Sequence, residues 1–194
     1  MAPVPVDADL APSTNRATAN IHDDWTFELG GINGPRRLQL VRAPAGWSLE
    51  AVRVNGIDVT DRPLAFGLAN QSVTDVEVVL TDRVTTVTGT ITDDRRRPAP
   101  GARLIIVSTD HDRWYPGSRF MWTAVAGSDG TATLVGLPAG TYYAAAIVRI
   151  PVQGDDAWQD PILLDGLVPR ASTLTLTEGC RWRIPNPRHE RRSN

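Results

Sequence analysis

The sequence predicts a mainly β protein, in which an antiparallel β-sandwich with one short helix follows a smaller β-unit. Two features of its 194 residues lead to this prediction. Short runs that alternate apolar and polar residues recur along the chain, which is the period-two pattern of half-buried strands. Turn-forming pairs such as Asn55-Gly56 and Asp129-Gly130 separate these runs.

The composition is that of a globular chain, and it excludes several chemistries. Hydrophobic residues make up 41% and the net charge is −2, so no strong field directs the protein to nucleic acid. No stretch has the apolar length of a membrane span. The sequence contains no lysine, which excludes a Schiff-base or P-loop lysine. Cys180 is the single cysteine, so these residues form neither an internal disulfide nor a zinc site of several thiolates. We expect no cofactor.

Four segments follow from the distribution of these patterns. Residues 1–20 are rich in Pro, Ala, Ser and Asp, and we expect a disordered arm or linker there. Residues 21–83 form the small N-terminal β-unit, residues 84–184 the β-sandwich, and residues 185–194 a flexible tail. The first residues lack the basic and apolar regions of a signal peptide.

The small unit is predicted to contain short strands at 25–29, 37–42, 49–54, 57–59, 63–67 and 75–80. Trp25 and Trp47 are assigned to its core. The sandwich is predicted to contain strands at 84–92, 102–107, 119–126, 131–137, 141–148, 172–177 and 180–184. One helix is expected at 160–167, because Asp160 suits the N-cap and Pro161 the first helical position.

The stretch 128–148 contains two turns that we expect to organise the sandwich. Asp129 and Gly130 form the first turn. Pro138 presets the backbone of the second, and Gly140 can leave it with positive φ. Tyr142 then enters the next strand, where its hydroxyl can bond a backbone group. These turns predict a meander of three consecutive strands over 119–148. The alanines at 144–146 predict close approach by another layer, for which the helix is the candidate.

These residues resemble the carboxypeptidase regulatory-like domain, a transthyretin-like (prealbumin-like) β-sandwich related in fold to carbohydrate-binding modules. The resemblance covers about residues 84–177 and rests on the segments PAPGARL and GLPAGTY with a DG turn between them. Thr133 stands where the family has an aromatic residue, and Ala139 replaces a second proline. The matching residues are Gly89, Asp93, Pro98, Pro100, Gly101, Ala102, Asp129, Gly130, Leu137, Pro138, Gly140 and Tyr142.

The resemblance implies a non-catalytic module of a large exported bacterial protein. Residues 45–64 resemble the β-unit that precedes this domain in such proteins. The implied partners are other domains of a parent protein, or another protein. The implied location is the periplasm, the cell surface or the medium, if the chain belongs to a longer exported one. One related branch forms Lys–Asn isopeptide bonds, which the lack of lysine excludes here.

Several acidic clusters could carry chemistry instead. Asp110, His111 and Asp112 could form a metal or acid–base site, although adjacent residues rarely converge on one ion without distant ligands. His22, which is followed by Asp23 and Asp24, is a second candidate of the same kind. Asp93, Asp94 and Asp129 could bind calcium, but their turn-forming role is sufficient to explain them.

Two other groups could bind a ligand. Arg95, Arg96 and Arg97 form a possible anion patch, for which a solvated turn is the simpler interpretation. Four aromatic residues flank the sandwich loops and could make a sugar-stacking platform, or else pack in the core and hold the loop and helix. They are Trp114, Tyr115, Trp122 and Trp158.

Three functional hypotheses result. The first is a non-catalytic structural or protein-interaction module. The second is a carbohydrate-binding module that uses exposed tryptophans. The third is a metal-assisted hydrolase that uses Asp110, His111 and Asp112.

Overall fold

The computed structural model describes residues 1–6, 19–40, 42–67, 71–148 and 157–184. The protein is mainly β and consists of two compact units, Met1–Asp82 and Arg83–Asn194, here called unit 1 and unit 2. Among the described residues, every helix is too short or too polar to cross a membrane. The predicted tail at 185–194 lies outside the described residues.

The described part of unit 1 contains eight short strands that pair into small sheets of order β1-β4-β7, β6-β5-β8 and β2-β3. Asn55 and Gly56 have φ values of 49° and 74°, as a two-residue hairpin between β5 and β6 requires. The strands are β1 (Ala2–Pro5), β2 (Asn20–Ile21), β3 (Phe27–Glu28), β4 (Gly34–Gln39), β5 (Ser48–Val54), β6 (Ile57–Asp58), β7 (Leu64–Phe66) and β8 (Val76–Thr81).

The N-terminus differs from the expected disordered arm. Ala2–Pro5 pairs antiparallel with β4, from Ala2 opposite Gln39 to Pro5 opposite Arg36. The backbone N–H of Val6 then donates to Pro35 O at 3.2 Å. This pairing satisfies the edge of β4 that β7 leaves open. The remainder of the expected arm, 7–18, lies outside the described residues.

The two tryptophans assigned to the core of unit 1 are exposed, so that assignment is wrong. Trp25 is 83% exposed because it lies in the turn between β2 and β3, where its φ is 66°. Trp47 lies just before β5 and is also exposed. Among the described residues of this unit, the buried apolar side chains include Leu38, Ala51 and Val52.

Unit 2 forms a β-sandwich, as the sequence predicted. One sheet has the order β11-β10-β13-β14 and the other β12-β9-β15. The pairings are antiparallel except that β15 runs parallel to β9, which the predicted antiparallel sandwich did not include. The elements are β9 (Thr86–Thr90), β10 (Arg103–Ser108), β11 (Met121–Val125), β12 (Thr131–Val135), β13 (Gly140–Ile147), α1 (Pro161–Leu167), β14 (Ser172–Leu176) and β15 (Arg181–Ile184).

The predicted meander over 119–148 is wrong. β11 pairs with β10, β12 pairs with β9, and β13 pairs with β10 and β14, so consecutive strands alternate between the sheets. The Asp129-Gly130 turn itself forms, because Asp129 Oδ1 accepts the N–H of Thr131 at 2.9 Å. However, Gly130 O accepts the N–H of Ile91 at 2.8 Å. This long-range bond directs the chain to β9 instead of back along β11.

The second turn also acts as a crossing between the sheets. Leu137 is buried in front of it, and the hydroxyl of Tyr142 donates to Pro138 O at 2.8 Å, as expected of that tyrosine. Gly140 has a φ of 155°. The chain therefore passes over the end of the sandwich from β12 into β13, held by the tyrosine.

Two apolar clusters lie on opposite faces of the larger sheet. The cluster between the sheets, here called the sandwich core, includes Leu104, Ile106, Tyr142, Ala144 and Ala146. The cluster on the other face, here called the helix-side core, includes Ile105, Val107, Met121, Ala145, Ile147, Trp158, Leu164 and Leu167. The alanine at 145 therefore packs under the helix, which is the layer that the alanine run predicted.

Helix α1 begins at Pro161 with Asp160 as its N-cap, and Asp160 Oδ1 accepts the N–H of Ile162 at 2.8 Å. Leu164 and Leu167 face the sheet and are buried, whereas Ile162 is 83% exposed. Leu163 is only partly buried against the same core. The helix thus covers one face of β10 and β13 with a single turn of apolar side chains.

Candidate interaction surface

The structure places Asp110, His111 and Asp112 in a turn before Trp114. Asp110 is occupied locally, since its carboxylate accepts the N–H of Asp112 and the Nε of Arg113, both at 3.1 Å. The His111 ring turns toward α1 instead: its centroid lies 4.0 Å from that of Trp114, and its Nε2 lies 3.8 Å from an oxygen of Asp165. The three side chains do not converge on one point.

The other acidic clusters are also engaged in turns. Asp24 Oδ1 accepts the N–H and hydroxyl of Thr26 at 3.0 and 2.7 Å, and the hydroxyl bond is the main cause that lowers the pKa of Asp24. The pKa of Asp129 is lowered chiefly by the backbone N–H of Thr131. Within the described residues, no group of three His, Cys, Asp or Glu side chains is placed to hold a metal ion.

Asp93 forms hydrogen bonds with the turn that carries the possible anion patch. Its Oδ1 accepts the backbone N–H groups of Arg95 and Arg97 at 2.9 Å each, and its Oδ2 accepts the Nε of Arg97 at 2.9 Å. The pKa of Asp93 is therefore lowered, first by the backbone bond and then by the side-chain bond from Arg97. Arg97 is bonded to Asp93 within this turn, and all three arginines are exposed.

The four aromatic candidates do not form one platform. Trp158 is 7% exposed within the helix-side core. Trp114 packs against the same core, and its Nε1 donates to Ser108 O at 2.7 Å. Tyr115 follows in the same loop and is half-buried. These residues hold the loop and helix against the sheet.

Trp122 lies on the opposite face of that sheet. It stands opposite Ile106 of the sandwich core, whereas its neighbour Met121 stands opposite Val107 of the helix-side core. Trp122 remains 38% exposed because β11 is an edge strand, and its Nε1 donates to Arg119 O at 2.9 Å. It is therefore neither a core residue nor part of a platform with Trp114 and Trp158.

A different surface combines basic and hydroxyl side chains at a strand that also carries an exposed tryptophan. A shallow depression over the smaller sheet is lined by residues of β9 and β15, here called the β15 surface: Thr86, Thr88, Arg181, Trp182 and Arg183. The parallel register sets Arg181 beside Thr86 and Arg183 beside Thr88. The two strands therefore present alternating guanidinium and hydroxyl groups on one face.

Trp182 is paired in register with the core residue Val87, so it lies on the opposite face of β15 from the two arginines, and it is 41% exposed. Unlike Trp114 and Trp122, its indole N–H has no acceptor among the described residues, and neither Arg181 nor Arg183 has an ion-pair partner there. The sequence pattern placed Trp182 on the apolar side of its strand with Cys180 and Ile184. It did not reveal that β15 is the last strand of its sheet, and this position is what exposes the ring.

Comparisons with known proteins do not assign a family. No protein-family model matches the sequence, and no curated protein matches it. One similar solved structure is the dioxygenase domain of a dioxygenase–carbohydrate-binding protein fusion from the cellulolytic bacterium Streptomyces sp. SirexAA-E. Its identity is 25% and its TM-score 0.25, over 32% of this chain and 47% of that chain.

Two further structures have lower identity. The TIE protein of Bacillus anthracis is 12% identical with a TM-score of 0.32, over 57% of this chain and 19% of that chain. The major pilin subunit BcpA of Bacillus cereus is 10% identical with a TM-score of 0.33, over 75% of this chain and 57% of that chain. The chain thus spans less than two thirds of each of the three structures, and the TM-scores are too low to transfer a function.

Proposed function

We propose that this chain is a non-catalytic protein-interaction module whose partner binds at the β15 surface. The observation that carries the proposal is that the edge strand β15 exposes Arg181 and Arg183 on one face and Trp182 on the other. Tryptophan and arginine are the residue types most enriched among those that dominate binding energy at protein interfaces. A sheet edge also holds them in a fixed geometry, which lowers the entropy cost of binding.

The engagement of the acidic side chains supports a non-catalytic role. Asp93, Asp110 and Asp129 each accept hydrogen bonds from donors of their own turn. A carboxylate used in this way stabilises a loop conformation and is less available as a base or a ligand. The role of these aspartates in stabilising turns is therefore sufficient to explain their presence.

We further propose that residues 84–184 are a carboxypeptidase regulatory-like domain, and that the chain is part of a larger exported bacterial protein. Support comes from the matched turn residues, since Gly130 and Tyr142 have specific contacts in the fold. On this proposal the partner is another domain of a parent protein or a separate exported protein.

Site-specific photo-crosslinking in the producing cells tests the interaction. A photoreactive phenylalanine analogue replaces Trp182, and the matched control replaces Ile162, which is exposed on helix α1. We expect one discrete protein adduct from position 182, none from position 162, and loss of the adduct in the R181E/R183E background. Equal adducts from both positions contradict the proposal. Trp182-dependent binding to a panel of neutral glycans would show that the ligand of this surface is a carbohydrate and not a protein.

A further inference from the structure

We propose that the outer edge of β15 binds an extended, acidic segment of the partner as an added β-strand. This inference rests on the interaction function proposed above and specifies the partner's chemistry. It combines three observations: the direction of the β15 backbone groups, the local charge and the position of Trp182.

The hydrogen-bond pattern shows which backbone groups of β15 face outward. Cys180 O accepts the N–H of Thr86 at 2.9 Å, and β15 then runs parallel to β9. In a parallel pair, alternate residues of a strand bond the neighbour. Cys180, Trp182 and Ile184 therefore direct their peptide groups to β9, and Arg181 and Arg183 direct theirs to the open side.

That open side has no strand in the described part of the chain, where β15 ends the order β12-β9-β15. An edge strand presents a row of N–H and C=O groups that an extended peptide can pair with. Arg181 and Arg183, whose backbone groups point outward, are sufficient to pair with a short added strand.

The charge near this edge selects an acidic partner. Arg181 and Arg183 are exposed and have no acidic partner among the described residues, although the whole chain has a net charge of −2. Carboxylates on an added strand would lie beside the two strand arginines, where opposite charges stabilise cross-strand pairs.

The same charges argue against a second copy of this chain as the added strand. If two copies of β15 paired antiparallel with their threonine faces on the same side, Arg181 and Arg183 would face arginines of the other copy. Like charges directly opposite one another are destabilising. An acidic peptide avoids this repulsion, and an apolar side chain on its other face can contact Trp182.

A defined peptide tests the inference on the full chain. The probe is a fluorescent peptide of about ten residues that alternates Glu and Val, an extended pattern suited to strand addition. The matched peptides carry Lys in place of Glu, or N-methyl groups on alternate residues along one edge only. We expect anisotropy binding by the Glu peptide, none by the Lys peptide, and loss of binding when the N-methyl groups lie on one of the two edges but not the other.

Matched protein variants locate the site. R181E/R183E is expected to weaken binding by roughly tenfold or more, because two favourable charge pairs become repulsive. R95E/R96E makes the same charge change at an exposed turn and is expected to leave binding unchanged. Thermal melts of both variants establish that they are folded.

Each other outcome overturns the inference. No binding by the Glu peptide means that the arginines only protect the edge from aggregation. Charge-dependent binding that tolerates N-methylation on either edge rejects strand addition but leaves the interaction function standing. Binding that appears only after deletion of residues 185–194 means that the chain's own tail is the occupant. If the chain forms concentration-dependent dimers and R181E/R183E abolishes them, the occupant is a second copy of the chain. Absence of any adduct from position 182 in the chain with Arg181 and Arg183 intact would reject the interaction function itself.

Discussion

The two faces of β10 and β13 are buried in different ways. On the inner face, Ile106 and Tyr142 pack against strands of the second sheet. On the outer face, Ile105 and Ala145 pack under the seven-residue helix α1 and Trp158. The inner cover is held by ladders of backbone hydrogen bonds, whereas the outer cover is held by side-chain packing and a few loop bonds. The inner face should therefore determine global stability, and the outer cover should open separately.

The largest effect is expected from shortening a leucine in each core. Leu104 and Leu164 are both essentially inaccessible to solvent, so each change to Ala should cost about 2–5 kcal/mol. L104A should lower the free energy of global unfolding measured with denaturant. L164A should instead increase hydrogen exchange at residues 157–170 while β9 and β12 stay protected. Equal loss of protection everywhere in both variants would show that the faces form one cooperative unit.

The turn at Gly130 offers the next comparison. Gly130 has a φ of 74°, and an added Cβ would lie 2.5 Å from Ile91 O. Gly136 has a φ of 92°, but nothing lies within 4 Å of an added Cβ. Backbone strain costs about 1–3 kcal/mol at such a residue, so G136A should show that loss alone. G130A should lose more, because the backbone of Ile91, just after β9, must also shift. Chemical denaturation compares the two, and equal losses would show that the close approach to Ile91 is unimportant.

Adjacent tyrosines allow a smaller test of the two faces. Tyr142 points into the sandwich core and its hydroxyl donates to Pro138 O. Tyr143 packs against the helix-side core. Y142F should cost about 0.5–1.5 kcal/mol, the usual net value of one hydrogen bond, and Y143F less. A larger loss for Y143F in thermal unfolding would contradict the role of Tyr142 at the sheet crossing.

The smallest effect concerns the pH dependence of the Asp93 turn. Because the folded pKa of Asp93 lies below its ordinary value of 3.8, its ionised form contributes stability above that value. This stability is lost as the pH falls through the folded pKa. The difference in stability between the wild-type protein and D93N should therefore shrink on acidification from about pH 6 to about pH 2.5. The matched control is D112N, which removes the same charge from the turn that contains His111. A D93N difference that is constant over this range would contradict the linkage.

Local features of the fold were predictable from the sequence because they depend on neighbouring residues. The strands at 102–107 and 141–148 lie within one residue of β10 and β13 at each end. Helix α1 begins after its predicted cap, and the Asn55-Gly56 and Asp129-Gly130 turns form. Each of these features is set by alternation, capping or backbone preference within a few residues.

The candidate site was not predictable in the same way. Trp114, Trp122 and Trp158 are equally plausible as exposed aromatics in the sequence, yet the sheet separates Trp122 from the other two. Trp182 was assigned by alternation to the apolar side of its strand, and that alternation is correct for Ile184, which is buried. Exposure at a strand edge depends on which strands pair, and a period of two gives no information about pairing.

The sequence by itself determined where the strands, turns and helix of unit 2 lie, because these are local consequences of residue type. Only the tertiary structure decided which sheet each strand joins, that β15 runs parallel to β9, and that its outer edge is open within the described residues. The physical reason is that alternation fixes which side chains share a face, whereas partner choice depends on contacts between distant residues, such as the bond from Ile91 to Gly130.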